Sequence, residues 1–161
     1  MVVLAGDIGD AIMIQSLSWK RSPSPDDQGT YNDMSIYMGL CGSNELVTSF
    51  DDNFISGTRT LVLSGSPYTT QVVAVNEWFE FTLDTPYWYN GQGNLLIEIQ
   101  WSSGSGSLYA WNWNGGTNRC VYGLYGSSTA LVQNSNVPNL RLNGTLSLTN
   151  STFARIKAAF I

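Results

Sequence analysis

Glu80 and Glu98 lie in aromatic-flanked runs of alternating apolar and polar residues. A jelly-roll glycosidase sets two strand carboxylates across a cleft, about 5–9 Å apart, as acid and as base or nucleophile. The same spacing also describes two solvent-facing strand glutamates, because Phe79 and Phe81, like Leu95, Ile97 and Ile99, take the opposite pleat. Other catalytic chemistry is scarce. The chain has no histidine, which removes Ser-His-Asp and Cys-His nucleophile arrangements, most zinc sites and c-type haem attachment. No CxxC, no P-loop and no GxGxxG after a strand occurs.

Two acidic groups have oxygens suited to Ca²⁺, the run Asp51-Asp52-Asn53 and the pair Asp7 and Asp10. Neither matches an EF-hand loop, and surface turn acids are the plainer reading of both; no other cofactor is expected. Cys41 and Cys120 stand in or beside strand patterns. A bridge between them would close a loop of about 80 residues and contribute roughly 4.5 kcal/mol by chain entropy. The alternative is two buried free thiols.

Aromatic rings are the richest resource. The chain holds 6 Trp, 8 Tyr and 6 Phe in 161 residues, against only 7 Lys plus Arg. Tyr109, Trp111 and Trp113 alternate along one face, and Tyr87, Trp88 and Tyr89 fall together in a stretch read as a loop. Flat rings bury large areas at low entropy cost, and they stack on sugars or on another protein. A period-two stripe also suits one layer of a packed core.

Turn chemistry divides the chain into eight to ten short strand patterns. Residues 11–20 read as a strand whose apolar set is Ile12 and Ile14, then Leu17 and Trp19, so a bulge is expected near Gln15. Met34, Ile36, Met38 and Leu40 alternate, as do Phe79, Phe81 and Leu83. Residues 71–75 and 108–113 read as further strands, and 95–101 as a central one. The pattern predicts an all-β protein, an antiparallel β-sandwich of jelly-roll type. Residues 1–10 form an apolar extension suited to act as a docking strand, 11–149 the sandwich domain and 151–161 a short amphipathic helix or tail. In that tail Phe153, Ile156 and Phe160 fall at helical spacing.

The net charge is −5, with no basic stripe, so nucleic acid is not expected as a partner and binding to an anionic membrane surface is disfavoured. No run of 18 apolar residues exists to span a membrane, and the first residues lack the basic and apolar regions of a signal peptide. Low charge with many turn residues suits a secreted or cell-surface protein. Sequons occur at Asn143 and Asn150.

Residues 87–101 (Tyr-Trp-Tyr-Asn-Gly-Gln-Gly-Asn-Leu-Leu-Ile-Glu-Ile-Gln-Trp), 118–122 (Asn-Arg-Cys-Val-Tyr) and 137–142 (Val-Pro-Asn-Leu-Arg-Leu) carry a resemblance. Over residues 11–145 the chain resembles β-sandwich modules of secreted, multidomain bacterial surface proteins. The resemblance implies a non-catalytic adhesive, structural or carbohydrate-facing role, and no functional residues carry over. The leading expectation is an extracellular structural protein that associates with copies of itself, as in a filament. Val2, Val3, Leu4, Phe153, Ile156 and Phe160 would supply the terminal contacts, and the aromatic faces would supply more. The alternative is a module binding polysaccharide on Tyr109, Trp111 or Trp113, and the third reading is the glycosidase.

Overall fold

A computed structural model describes residues 1–146 of the chain. The protein is all-β. Its elements are β1 (Val2–Val3), α1 (Ala5–Ile8), β2 (Ile12–Lys20), β3 (Thr30–Asn32), β4 (Met34–Cys41), a 3-10 turn (Asp51–Asn53), β5 (Thr60–Gly65) and β6 (Tyr68–Thr69). There follow β7 (Trp78–Tyr89), β8 (Asn94–Gln100), β9 (Ser103–Ser105), β10 (Asn112–Asn114), β11 (Cys120–Tyr122), β12 (Val132–Asn134), β13 (Asn136–Pro138) and β14 (Leu140–Leu146). No helix among the described residues is long and apolar enough to cross a membrane.

Two antiparallel sheets make a sandwich-like body, one ordered β1-β8-β4-β5 and the other β14-β2-β7. A small β6-β3-β9 sheet and the pairs β10–β13 and β11–β12 decorate it. One core lies between the main sheets. The first sheet contributes Ile36, Met38, Leu95 and Ile97, and the second Ile14, Leu17, Trp19, Phe79 and Phe81. The Trp19 ring meets Phe81 edge-on at 5.2 Å and Tyr68 stacks on Phe81 at 5.6 Å, so aromatic geometry adds to burial.

The expected bulge is present. Asn143 pairs with Ser16 and Gly144 with Ile14, so Gln15 is skipped and points to solvent. Skipping one residue reverses the pleat parity, and that is how Ile12 and Ile14 share the core with Leu17 and Trp19. On the other flank Ile14 pairs with Tyr87 and Ser16 with Thr82. Residues 83–86 of β7 have no partner on β2 at this point, although Leu83 stays in the core.

Several sequence expectations change. Tyr87, Trp88 and Tyr89 belong to strand β7 and not to a loop. Their pairing with Ile14, Met13 and Ile12 carries the strand past Pro86. Residues 71–75 form no strand, although Val73 is buried. Within 108–113 only Asn112 and Trp113 are in a strand, because their one partner is the short β13. Tyr89 is wholly buried and its hydroxyl donates to the Gly93 carbonyl at 2.7 Å. Tyr89→Phe, measured by urea denaturation, is expected to lose about 1 kcal/mol, the net worth of that hydrogen bond; an unchanged midpoint would show the Gly93 turn holds without it.

Candidate binding groove

The outer face of β8 and β4 carries a polar cluster. Tyr37 on β4 lies directly opposite Glu98 on β8. Arg59, just before β5, lays its guanidinium over the Tyr37 ring at 4.1 Å and donates to Glu98 Oε1 at 2.8 Å. The Gln100 amide donates to the same oxygen. Glu98 Oε2 is buried and has no hydrogen-bond partner. The carboxylate is thus held by a cation, an amide and a ring, with one acceptor left over in a site where an unmade hydrogen bond is costly.

This cluster floors a groove of about 730 Å³. The groove is lined by the 3-10 turn with Phe50 and Phe54, by Tyr122 at the end of β11 and Tyr125 in the loop after it, and by Trp101. The walls are tied to each other by backbone. Phe50 N–H donates to Ser128 at 3.1 Å, Ala130 N–H to Thr48 at 2.7 Å and Leu46 N–H to Asn118 at 2.8 Å. Leu46 anchors this loop in a second apolar cluster with Val2, Cys41 and Leu96. Asn53 is buried and hydrogen-bonds Val47 at both amide and carbonyl, which shapes the turn. Gly39 leaves room for Phe54, whose ring carbon lies 2.6 Å from where a Cβ would stand.

The rings at the rim face solvent: Tyr122 is 55%, Tyr125 54% and Trp101 48% exposed. Leu124, Leu131 and Val132 are exposed beside them. Between residues 102 and 140 the one charged residue is Arg119. It is buried, ion-paired to Asp7 at 2.7 Å and set over the Trp113 ring at 5.1 Å. That quarter of the chain therefore offers solvent an uncharged, aromatic surface.

The predicted site residues separate. Tyr109, Trp111 and Trp113 are exposed and do not form a core layer, because among the described residues no second sheet lies above β10 and the residues before it. Trp111 is oriented by its indole N–H, which donates to Asn76 Oδ1 at 2.8 Å. Trp88 is exposed, Tyr87 half-buried and Tyr89 buried, as alternation on β7 requires. Val2 and Val3 pair with Leu96 and Leu95 of the same chain and are buried there, while Leu4 precedes α1. Phe153, Ile156 and Phe160 lie outside the described residues.

Glu80 and Glu98 do not meet. Glu80 projects from the outer face of the second sheet, bonded to Ser16 and Asn143, whereas Glu98 projects from the outer face of the first. The core between them prevents the pair from flanking one glycosidic bond. The expected Cys41–Cys120 bridge is not formed. Both thiols are free, Cys41 on β4 and Cys120 on β11, with β8 and β1 between their strands. Burial pushes the Cys120 thiol above its ordinary pKa, which keeps it protonated and unreactive at neutral pH. Asp7 is engaged by Arg119, and among the described residues no three acidic or thiol groups gather as a cation site.

Sequence reasoning missed Tyr37, Arg59, Trp101, Tyr122 and Tyr125. The only signal was the absence of charge across residues 102–140. Comparison of the chain with protein-family models, curated proteins and solved structures returned no match.

Proposed function

We propose that this protein is a non-catalytic binding module acting outside the cell, and that the groove over β8 and β4 receives an uncharged polysaccharide. One observation carries the reading: Tyr37, Trp101, Tyr122 and Tyr125 converge with Glu98, Arg59 and Gln100 in a single concave site. Rings supply stacking area and the few polar groups fix orientation, the usual division of labour in ligand sites of this volume. The Glu98 carboxylate among the lining groups disfavours acidic polymers.

Intrinsic fluorescence titration with neutral oligosaccharides tests this. Trp101→Ala is expected to weaken binding about tenfold, as truncation of a ring contact does. Trp88→Ala, on the other sheet, is expected to change nothing. No response to any neutral glycan, or equal loss in both variants, would sink the reading.

Self-association is the second reading, favoured by the exposed Leu124, Leu131 and Val132 beside the groove. The N-terminal strand, closed onto its own sheet, contributes to it only through exchange between copies.

A further inference from the structure

The Trp111 ring is exposed and yet held in place. Its indole N–H donates to Asn76 Oδ1 at 2.8 Å. Its backbone N–H donates to the Lys20 carbonyl at 2.8 Å, and its carbonyl accepts from Asn139 N–H at 2.7 Å. Asn76 has φ 71°, one of two non-glycine residues at positive φ among the described residues. Strained backbone of this kind persists only where its surroundings enforce it, and it gathers at ligand sites. Here Asn76 N–H donates at 2.9 Å to the carbonyl of the buried Arg21. Two residues after Trp111, the Trp113 ring is backed by the buried Arg119 guanidinium at 5.1 Å. Tyr109, two residues before, completes the row on one face. Anchored rings lose little freedom when a ligand covers them.

We propose that Tyr109, Trp111 and Trp113 form a second saccharide-binding surface, which stacks a neutral sugar and makes the protein bivalent toward polysaccharide. The proposal takes its class of ligand from the groove reading and rests on it to that extent. Three features choose the occupant. Asn76 already satisfies the Trp111 N–H, so the ring offers a ligand its flat face and not a donor. Buried Arg119 is the one charged residue between positions 102 and 140, so nothing on this segment attracts a charged polymer. The three half-exposed rings present roughly 300 Å², well short of the about 800 Å² per partner of a stable protein interface. The Trp111 backbone sits at the ends of β2 and β14, whereas the groove lies over β8 and β4 of the other sheet. One chain can therefore hold two polymer strands and bridge them.

Calorimetric titration with neutral hexasaccharides of glucan, mannan, xylan and galactan counts the sites. Two per chain are expected. Trp111→Ala should leave one, and so should Trp101→Ala at concentrations that keep its weakened groove empty. The wild type should cross-link long polymers of the same sugar, read as a rise in light scattering, and Trp111→Ala should not. Asn76→Gly relieves the backbone but releases the indole, so the second site should weaken about fivefold with folding intact. Asn76→Asp keeps the acceptor and should keep the affinity. One site per chain, lost in Trp101→Ala and kept in Trp111→Ala, would overturn the proposal and leave the groove reading standing. The reverse pattern would keep the ring surface, sink the groove reading and end the claim of bivalence. A gain in particle mass without glycan, removed by Trp111→Ala, would assign the rings to a second copy and overturn the proposal as well.

Discussion

Gly144→Ala is expected to destabilise the protein by about 3 kcal/mol, the upper range for overpacking. A Cβ at this position would run into the Met13 carbonyl, 2.8 Å from its carbon, and would stand 3.0 Å from Ile14 Cα. Both obstacles are backbone. They belong to β2, the middle strand of its sheet, held on the far side by β7. β2 cannot retreat without breaking that second ladder, so β14 must peel away and uncover Leu140 and Leu142. The close approach exists because Gln15 is bulged out opposite, where the pairing jumps from Ser16 to Ile14. For a domain of this size the melting temperature should fall by roughly 6–12 °C. Thr145→Ala, one exposed position further, should stay within about 0.5 kcal/mol of wild type. Urea denaturation of both variants decides the matter. Wild-type stability in Gly144→Ala would mean that β14 is not registered on β2 in this way.

Arg21→Ala should cost a comparable amount, about 3 kcal/mol. Arg21 is 6% exposed, yet among the described residues no carboxylate neutralises it. Its guanidinium donates to the Val73 carbonyl at 2.8 Å, the Asp26 carbonyl at 2.7 Å and the Ser24 carbonyl at 3.3 Å. Three loop carbonyls thus converge on one planar fork, and truncation leaves them facing each other without their donor. A lysine ammonium keeps the charge but cannot span the same three acceptors, so Arg21→Lys should recover less than half of the loss. The effect reaches the aromatic surface. The Arg21 carbonyl accepts from Asn76 N–H at 2.9 Å, and Asn76 in turn holds the Trp111 indole. Ser22 N–H donates to the Tyr109 carbonyl at 2.9 Å. Tryptophan emission should therefore shift with the stability. A fully stable Arg21→Lys variant would refute the fork argument.

The parts legible in the sequence are those whose signal is local and periodic. Met34, Ile36 and Met38, like Phe79, Phe81 and Leu83, alternate because one face of each strand is buried, and all six are core residues. The bulge at Gln15 was readable because the parity of the apolar set changes there. Alternation misled at residues 108–113. The stripe is real, but among the described residues β10 pairs only with β13 and no layer covers it, so its rings are exposed. Residues 87–89 misled in the other direction. Asp84 and Pro86 mimic a loop, and residues 83–86 do leave the β2 ladder, but pairing resumes at Tyr87.

The candidate site was the least legible part. Glu98 reads from its strand as a solvent-facing residue. What surrounds it arrives from positions 37, 59 and 122–125, which no periodicity connects.

The amino-acid sequence alone determined the all-β class, the lack of histidine chemistry and the uncharged character of residues 102–140, because these follow from composition and short-range alternation. The tertiary structure alone decided which rings stand free, that Glu80 and Glu98 face opposite ways, and that Arg59 reaches the latter. Those outcomes depend on strand order and on loops pinned by distant backbone partners, and pairings of that range leave no imprint on neighbouring residues.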